Sequence, residues 1–195
     1  MTMKNIPMNR LSTQRGFSMV ELSLVLGIML VLSAIGLPKL VTSMSVYKLN
    51  TASTSLQNLI EVARFNAVRR NSTISLRQGL VNGQAAFYVD VPNSGAYVNT
   101  DPVYVVPTIV QIAPAAAPAA ATTGLANTRA LGAGCISFNS RGVADYTTCG
   151  GGVPAVWFIS LGLTNGNGGY RAITLTPMGQ AKSWTAPAGG TWGVM

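Results

Sequence analysis

Residues 17–37 read FSMVELSLVLGIMLVLSAIGL, an unbroken apolar run of 21 residues whose only charge is Glu21. As a helix it is about 32 Å long at 1.5 Å per residue, close to the hydrocarbon thickness of a bilayer. Lys4, Arg10 and Arg15 precede the run and Lys39 is the one cation just after it. By the positive-inside tendency the N-terminus is therefore expected in the cytoplasm and the bulk of the chain outside. An ordinary secretory signal would have a shorter apolar core with a small-residue cleavage site beyond it. A plain anchor accounts for the hydrophobicity but not for a carboxylate inside it, which costs a few kcal/mol unless it is matched. Glu21 therefore calls for a partner.

The remainder bounds the function more by exclusion. A chain of 195 residues fits one domain, and 48% hydrophobic content against 9% charged is apolar for a soluble one. Without the three leading cations the net charge falls from +8 to +5, spread thinly and without runs, so it names no partner. There is no histidine, and the acids are Glu21, Glu61, Asp90, Asp101 and Asp145, with no spaced pair of metal ligands among them. Lys39, Lys48 and Lys182 sit in no nucleophile motif. The chain is thus not expected to be an enzyme or to carry a cofactor or metal. Cys135 and Cys149 lie in a Gly-rich stretch of a chain that reads as exported, and a disulfide is expected. Closing a loop of about 15 residues would contribute roughly 3 kcal/mol in the chain-entropy estimate.

Beyond Pro38 a helical period continues, with Val41, Met44, Ala52, Leu56, Leu59, Ile60, Ala63 and Ala67 at spacings of mostly three and four. Residues 38–71 are therefore expected to be an amphipathic helix. Arg64, Arg69 and Arg70 complement its C-terminal dipole, and Asn71 and Ser72 stop it. From residue 72 the pattern becomes strand-like over 73–77, 85–91, 103–112, 135–139, 156–161 and 170–176. The expected class is α+β, one long helix laid across an antiparallel sheet formed within 72–195. APAAAPAAATTG at 113–124 is low-complexity and reads as an exposed loop.

The segment Gly16-Phe17-Ser18-Met19-Val20-Glu21-Leu22, with the basic leader before it and the apolar run after it, resembles the type III signal sequence of type IV prepilins and type II secretion pseudopilins. Pro38 stands where pilin helices often bend. The resemblance implies the pilin fold and a leader over residues 1–16. It also implies a prepilin peptidase that cuts after Gly16 and methylates the Phe17 amine. Glu21 would then pair with the Phe17 ammonium of a neighbouring subunit, since a carboxylate among apolar groups is tolerable only when paired. The partners implied are that peptidase, other pilins or pseudopilins in a filament, and the bacterial inner membrane, crossed once with the C-terminal domain in the periplasm.

Two strand-turn segments, Ile136-Ser137-Phe138-Asn139-Ser140-Arg141-Gly142 and Ile173-Thr174-Leu175-Thr176-Pro177-Met178-Gly179, are similar to repeats of the GspH/FimT minor pilins and pseudopilins. Residues 63–71, ARFNAVRRN, are similar to that family's helix end. The resemblance implies a minor type IV pilin that primes or assembles a pilus, or alternatively the corresponding pseudopilin of a type II secretion system. Some FimT-like members bind DNA through a C-terminal Gly-Arg segment, where this chain has Gly179-Gln180-Ala181-Lys182. Arg171 and Lys182, with Trp184 and Trp192 nearby, are the remaining candidates for such contact. Two cations would give only weak, salt-sensitive binding, so nucleic acid is not the expected partner.

Overall fold

The computed structural model describes residues 16–125, 127–131, 134–149 and 155–195. The leader expected at 1–16 lies outside the described residues except for Gly16. Two compact units are present, residues 1–40 and 41–195. The first contributes the start of a helix, α1, which spans Met19–Arg70 and runs through Pro38. Ser18 caps it, its hydroxyl accepting the amides of Val20 at 3.2 Å and Glu21 at 3.4 Å. Every described residue of the first unit is solvent-exposed. By length and composition alone α1 is apolar enough to cross a membrane, with a mean hydropathy of 2.3 in its richest window and none of that window buried.

In the second unit α1 changes character. Leu49, Ala52, Ser53, Leu56, Leu59, Ile60, Ala63 and Ala67 are buried, at the spacing of one helix face. Val41 and Met44, expected on this stripe, are exposed, because the buried face begins only at Leu49. The helix ends at Asn71, which takes the left-handed conformation at φ 50°. Its amide bonds to the Val68 carbonyl at 3.2 Å and that of Ser72 to Ala67 at 3.2 Å, an ending that asparagine tolerates better than most residues.

Two sheets follow. The first joins β3 (Val103–Val105), β2 (Gln84–Asp90), β1 (Ile74–Val81), β6 (Cys135–Phe138) and β7 (Ala144–Asp145), in that order and antiparallel throughout. The second runs β11 (Gly193–Val194), β10 (Ala181–Ala186), β9 (Tyr170–Leu175), β8 (Val156–Leu163) and β4 (Val110–Ile112), with β5 (Thr128–Ala130) pairing parallel to β8. The buried face of α1 shares one core with Ile74, Leu76, Phe87 and Val89 of the first sheet and with Ile159, Leu161, Ile173 and Leu175 of the second.

The stretch 103–112, expected as one strand, is two strands in different sheets. Pro107 has no amide for a ladder, and the Val110 amide bonds back to its carbonyl at 2.8 Å, so the chain turns there and changes sheets. The Ala/Pro-rich stretch also departs from the expected solvated loop. Pro114 is buried, Ala120–Thr123 form a 3₁₀ turn, and Ala117 and Ala120 pack on a second cluster of Phe158, Tyr170, Trp184 and Trp192. Trp192 Nε1 donates to the Pro118 carbonyl at 3.1 Å, and its ring meets Phe158 edge-on at 5.6 Å.

Cys135 and Cys149 form the disulfide, with Cα atoms 5.2 Å apart. Its far half is delivered by a single helical turn, α2 (Tyr146–Cys149), which Asp145 initiates by accepting the Thr147 amide at 2.9 Å. Reduction of the bond, or Cys149→Ser, is expected to cost about 3 kcal/mol of unfolding free energy for a loop of this size. Urea unfolding with and without reductant checks it, and coincident curves would show that the closure contributes nothing.

Candidate functional site

The candidate assembly residues lie at the open end of α1. Gly16 has no neighbour within 4 Å of the position a Cβ would occupy, Phe17 is 79% exposed, and Glu21 is exposed in the first helical turn. A carboxylate there is favoured by the N-terminal end of the helix dipole. Ser18 and Glu21 stand at the two ends of a capping-box spacing, although the bonds present are those accepted by Ser18. Among the described residues Glu21 has neither an ion pair nor a side-chain hydrogen bond, so its charge is available to something outside this chain.

The two strand-turn segments meet in space, one ending β6 of the first sheet and the other β9 of the second. Gly142 and Gly179 both take positive φ, 72° and 80°. A Cβ on Gly179 would lie 2.5 Å from the Gly142 carbonyl oxygen, so neither bulk nor ordinary backbone geometry is available there. The Ala144 amide donates to the Pro177 carbonyl at 3.2 Å across the same junction. Arg64 closes it: Nε donates to the Gly142 carbonyl at 3.0 Å and Nη1 to that of Gly179 at 3.3 Å. Expected only to complement the helix dipole, this arginine ties the end of α1 to both sheets at once. The signal was present in the sequence as two Gly-ended repeats beside one helix arginine.

Arg171 and Lys182 are close in the second sheet but face opposite ways. Strand alternation sets Arg171 with Ile173 and Leu175, toward α1, where its Nε donates to Asn50 Oδ1 at 2.8 Å. Lys182 is in register with Thr174 on the other face, and its Nζ lies 5.1 Å from the Trp184 ring centroid. The two cations therefore do not make a single patch. Burial lowers the pKa of Arg171 from its ordinary value.

The three aspartates organise loops. Asp90 accepts the amides of Ser94 and Gly95, each at 2.8 Å, and pairs with Arg77 Nε at 2.9 Å. Asp101 accepts those of Val98 at 2.9 Å and Val91 at 3.3 Å. Among the described residues no three His, Cys, Asp or Glu side chains cluster as metal ligands would. Asp145 is held below its usual pKa by the Thr147 hydroxyl, against a smaller opposing effect of burial. No family model, no curated protein and no solved structure matches this chain.

Arg64→Met is expected to cost about 1–2 kcal/mol, the lower part of the range for charged hydrogen bonds because the side chain is more than a third exposed. Denaturant midpoints of the two proteins measure this, and Arg64→Lys should recover little, lacking the fork that reaches both carbonyls. Asp90 gives a pH prediction. Burial alone would raise its pKa, but the Gly95 and Ser94 amides and Arg77 outweigh that and hold it below the ordinary 3.8. A lowered folded-state pKa contributes stability that is fully present above the unfolded value and is lost as pH falls through the folded one. Stability should therefore decline below about pH 4, and Asp90→Asn should be weaker at neutral pH with a shallower acid limb. Equal slopes for the two proteins would remove Asp90 from that account.

Proposed function

We propose that this chain is a filament subunit of the type IV pilin kind, processed between Gly16 and Phe17 and assembled through α1. The observation that carries the proposal is the exposed, apolar first part of α1 with one unpaired carboxylate, Glu21, four residues from the Phe17 that cleavage would make N-terminal. Among the described residues of one chain neither the apolar surface nor the charge is compensated. A bundle of such helices compensates both, because apolar faces pack on one another and each carboxylate meets the terminal ammonium of a neighbour. A subunit displaced by one helical turn would leave two charges unmatched, so the pairing would also set the register.

Within this reading the chain is a minor pilin that primes or joins a type IV pilus, held before assembly in the bacterial inner membrane with residues 41–195 in the periplasm. Support for the minor-pilin assignment comes from residues 136–142, 173–179 and 63–71, whose sequences resemble the GspH/FimT group. The same resemblance extends to the corresponding pseudopilin of a type II secretion system, which is the alternative. Deletion discriminates: loss of surface pili and twitching with secretion intact supports the pilus subunit, and loss of exoprotein secretion alone supports the pseudopilin.

Two substitutions test the role of Glu21. Glu21→Gln keeps a polar group at the capping-box position and removes the charge, whereas Glu21→Ala removes both. Both are expected to leave the mature N-terminus at Phe17, read by intact mass, and to lower the amount recovered in sheared filaments at least tenfold. Normal incorporation of Glu21→Gln would sink the ion-pair role and leave helix capping as the function of this residue.

A further inference from the structure

A cleft of about 430 Å³ lies between α1 and the β9–β10 pair, its walls including Asn50, Ser53, Thr54 and Gln57 from the helix and Arg171 and Ser183 from the strands. Its volume falls in the range of small-molecule sites. Positions 50, 53, 54 and 57 share one helix face, and along it the packing against the sheet is polar at the very place where the apolar stripe would otherwise continue.

The hydrogen bonds already made decide what the cleft has left to offer. Arg171 Nε donates to Asn50 Oδ1 at 2.8 Å, and because a guanidinium only donates, the Asn50 amide is fixed with its oxygen toward the arginine. Ser183 Oγ donates to Gln57 Oε1 at 2.8 Å. Both helix amides thus spend their acceptors on the sheet. Among the described residues Asn50 Nδ2 and Gln57 Nε2 have no hydrogen-bond partner. Arg171 Nη1 is engaged by the Tyr170 carbonyl at 2.9 Å, leaving Nη2. No Asp or Glu side chain lines the cleft, although the chain end at Met195 does, and Arg171 has no ion pair among the described residues. A half-buried guanidinium and two amide nitrogens therefore share one concave surface, and none of them is engaged by an acidic side chain among the described residues.

We infer that this cleft binds a small molecule bearing an oxyanion, a carboxylate or a phosphate group, received by Arg171 Nη2 and Asn50 Nδ2. Gln57 lies seven residues further along α1, about 10 Å at 1.5 Å per residue, and supplies a donor for an uncharged acceptor at the ligand's other end. Burial penalises the arginine's charge and no ion pair among the described residues offsets it, so an incoming anion recovers an interaction that folding leaves open. Lys182 also borders the cleft, but its ammonium lies over Trp184 on the opposite face of the sheet and is not assigned to the anion. The inference does not depend on filament assembly.

The test uses the full chain in detergent micelles, labelled with ¹⁵N. Sodium phosphate and sodium acetate are titrated separately at constant ionic strength, with chloride as the balancing anion, while the Asn50 side-chain NH₂ and Arg171 Nε–H signals are followed. Saturable shifts of these signals are expected with one of the two anions, and which one identifies the group. Arg171→Gln should raise the dissociation constant at least tenfold, and Lys182→Gln should change it less than twofold. If Arg171→Gln fails to fold, Gln57→Glu replaces it: the carboxylate still accepts from Ser183, but its charge should repel the anion and abolish saturation. Shifts that stay linear with both anions, wild-type binding by Arg171→Gln or Gln57→Glu, or loss of binding in Lys182→Gln would each overturn the assignment.

Discussion

One face of α1 organises the unit formed by residues 41–195. The stripe from Leu49 to Ala67 shares a common core with the inner faces of both sheets, so without it each sheet would present an uncovered apolar face. Arg64 acts at the far end of the same helix, where apolar contact gives way to directed bonds onto Gly142 and Gly179. Burial supplies the affinity of helix for sheets, being non-directional. The arginine fork supplies the register, because only one axial position of the helix reaches both carbonyls.

The helix was the most legible element, and for a physical reason. Its apolar run, its three-and-four spacing and its Asn-Ser stop are all local signals, as are the strands rich in β-branched and aromatic residues. What was hidden depended on partners distant in sequence. β10 reads AKSWTA, with little strand preference of its own, and forms because β9 presents a ladder to it. The division of residues 103–112 between two sheets was signalled by Pro107, but which sheet each half joins is a tertiary matter.

Among the site residues, Gly16, Phe17 and Glu21 were singled out from a local pattern, and all three are exposed in the described structure. Arg64, Arg171 and Lys182 show the opposite case. Composition presents each simply as a cation, whereas strand parity and helix phase decide that the first bonds two turns, the second faces the helix and the third lies over an indole. Cys135 and Cys149, the two cysteines of the chain, were expected to pair, but the means of bringing them together, one helical turn begun by Asp145, was not legible in the sequence.

The Ala/Pro segment packed over Phe158, Tyr170, Trp184 and Trp192 gives the surface an uneven tolerance to change. Ala115, Ala116 and Ala121 point into solvent, whereas Ala117 and Ala120 rest on the rings beneath. Homologous chains should drift freely at the first three positions and keep small side chains at the other two. A stretch that looks like uniform filler would then show alternating variable and frozen sites, its simplicity recording a shape that larger residues cannot occupy.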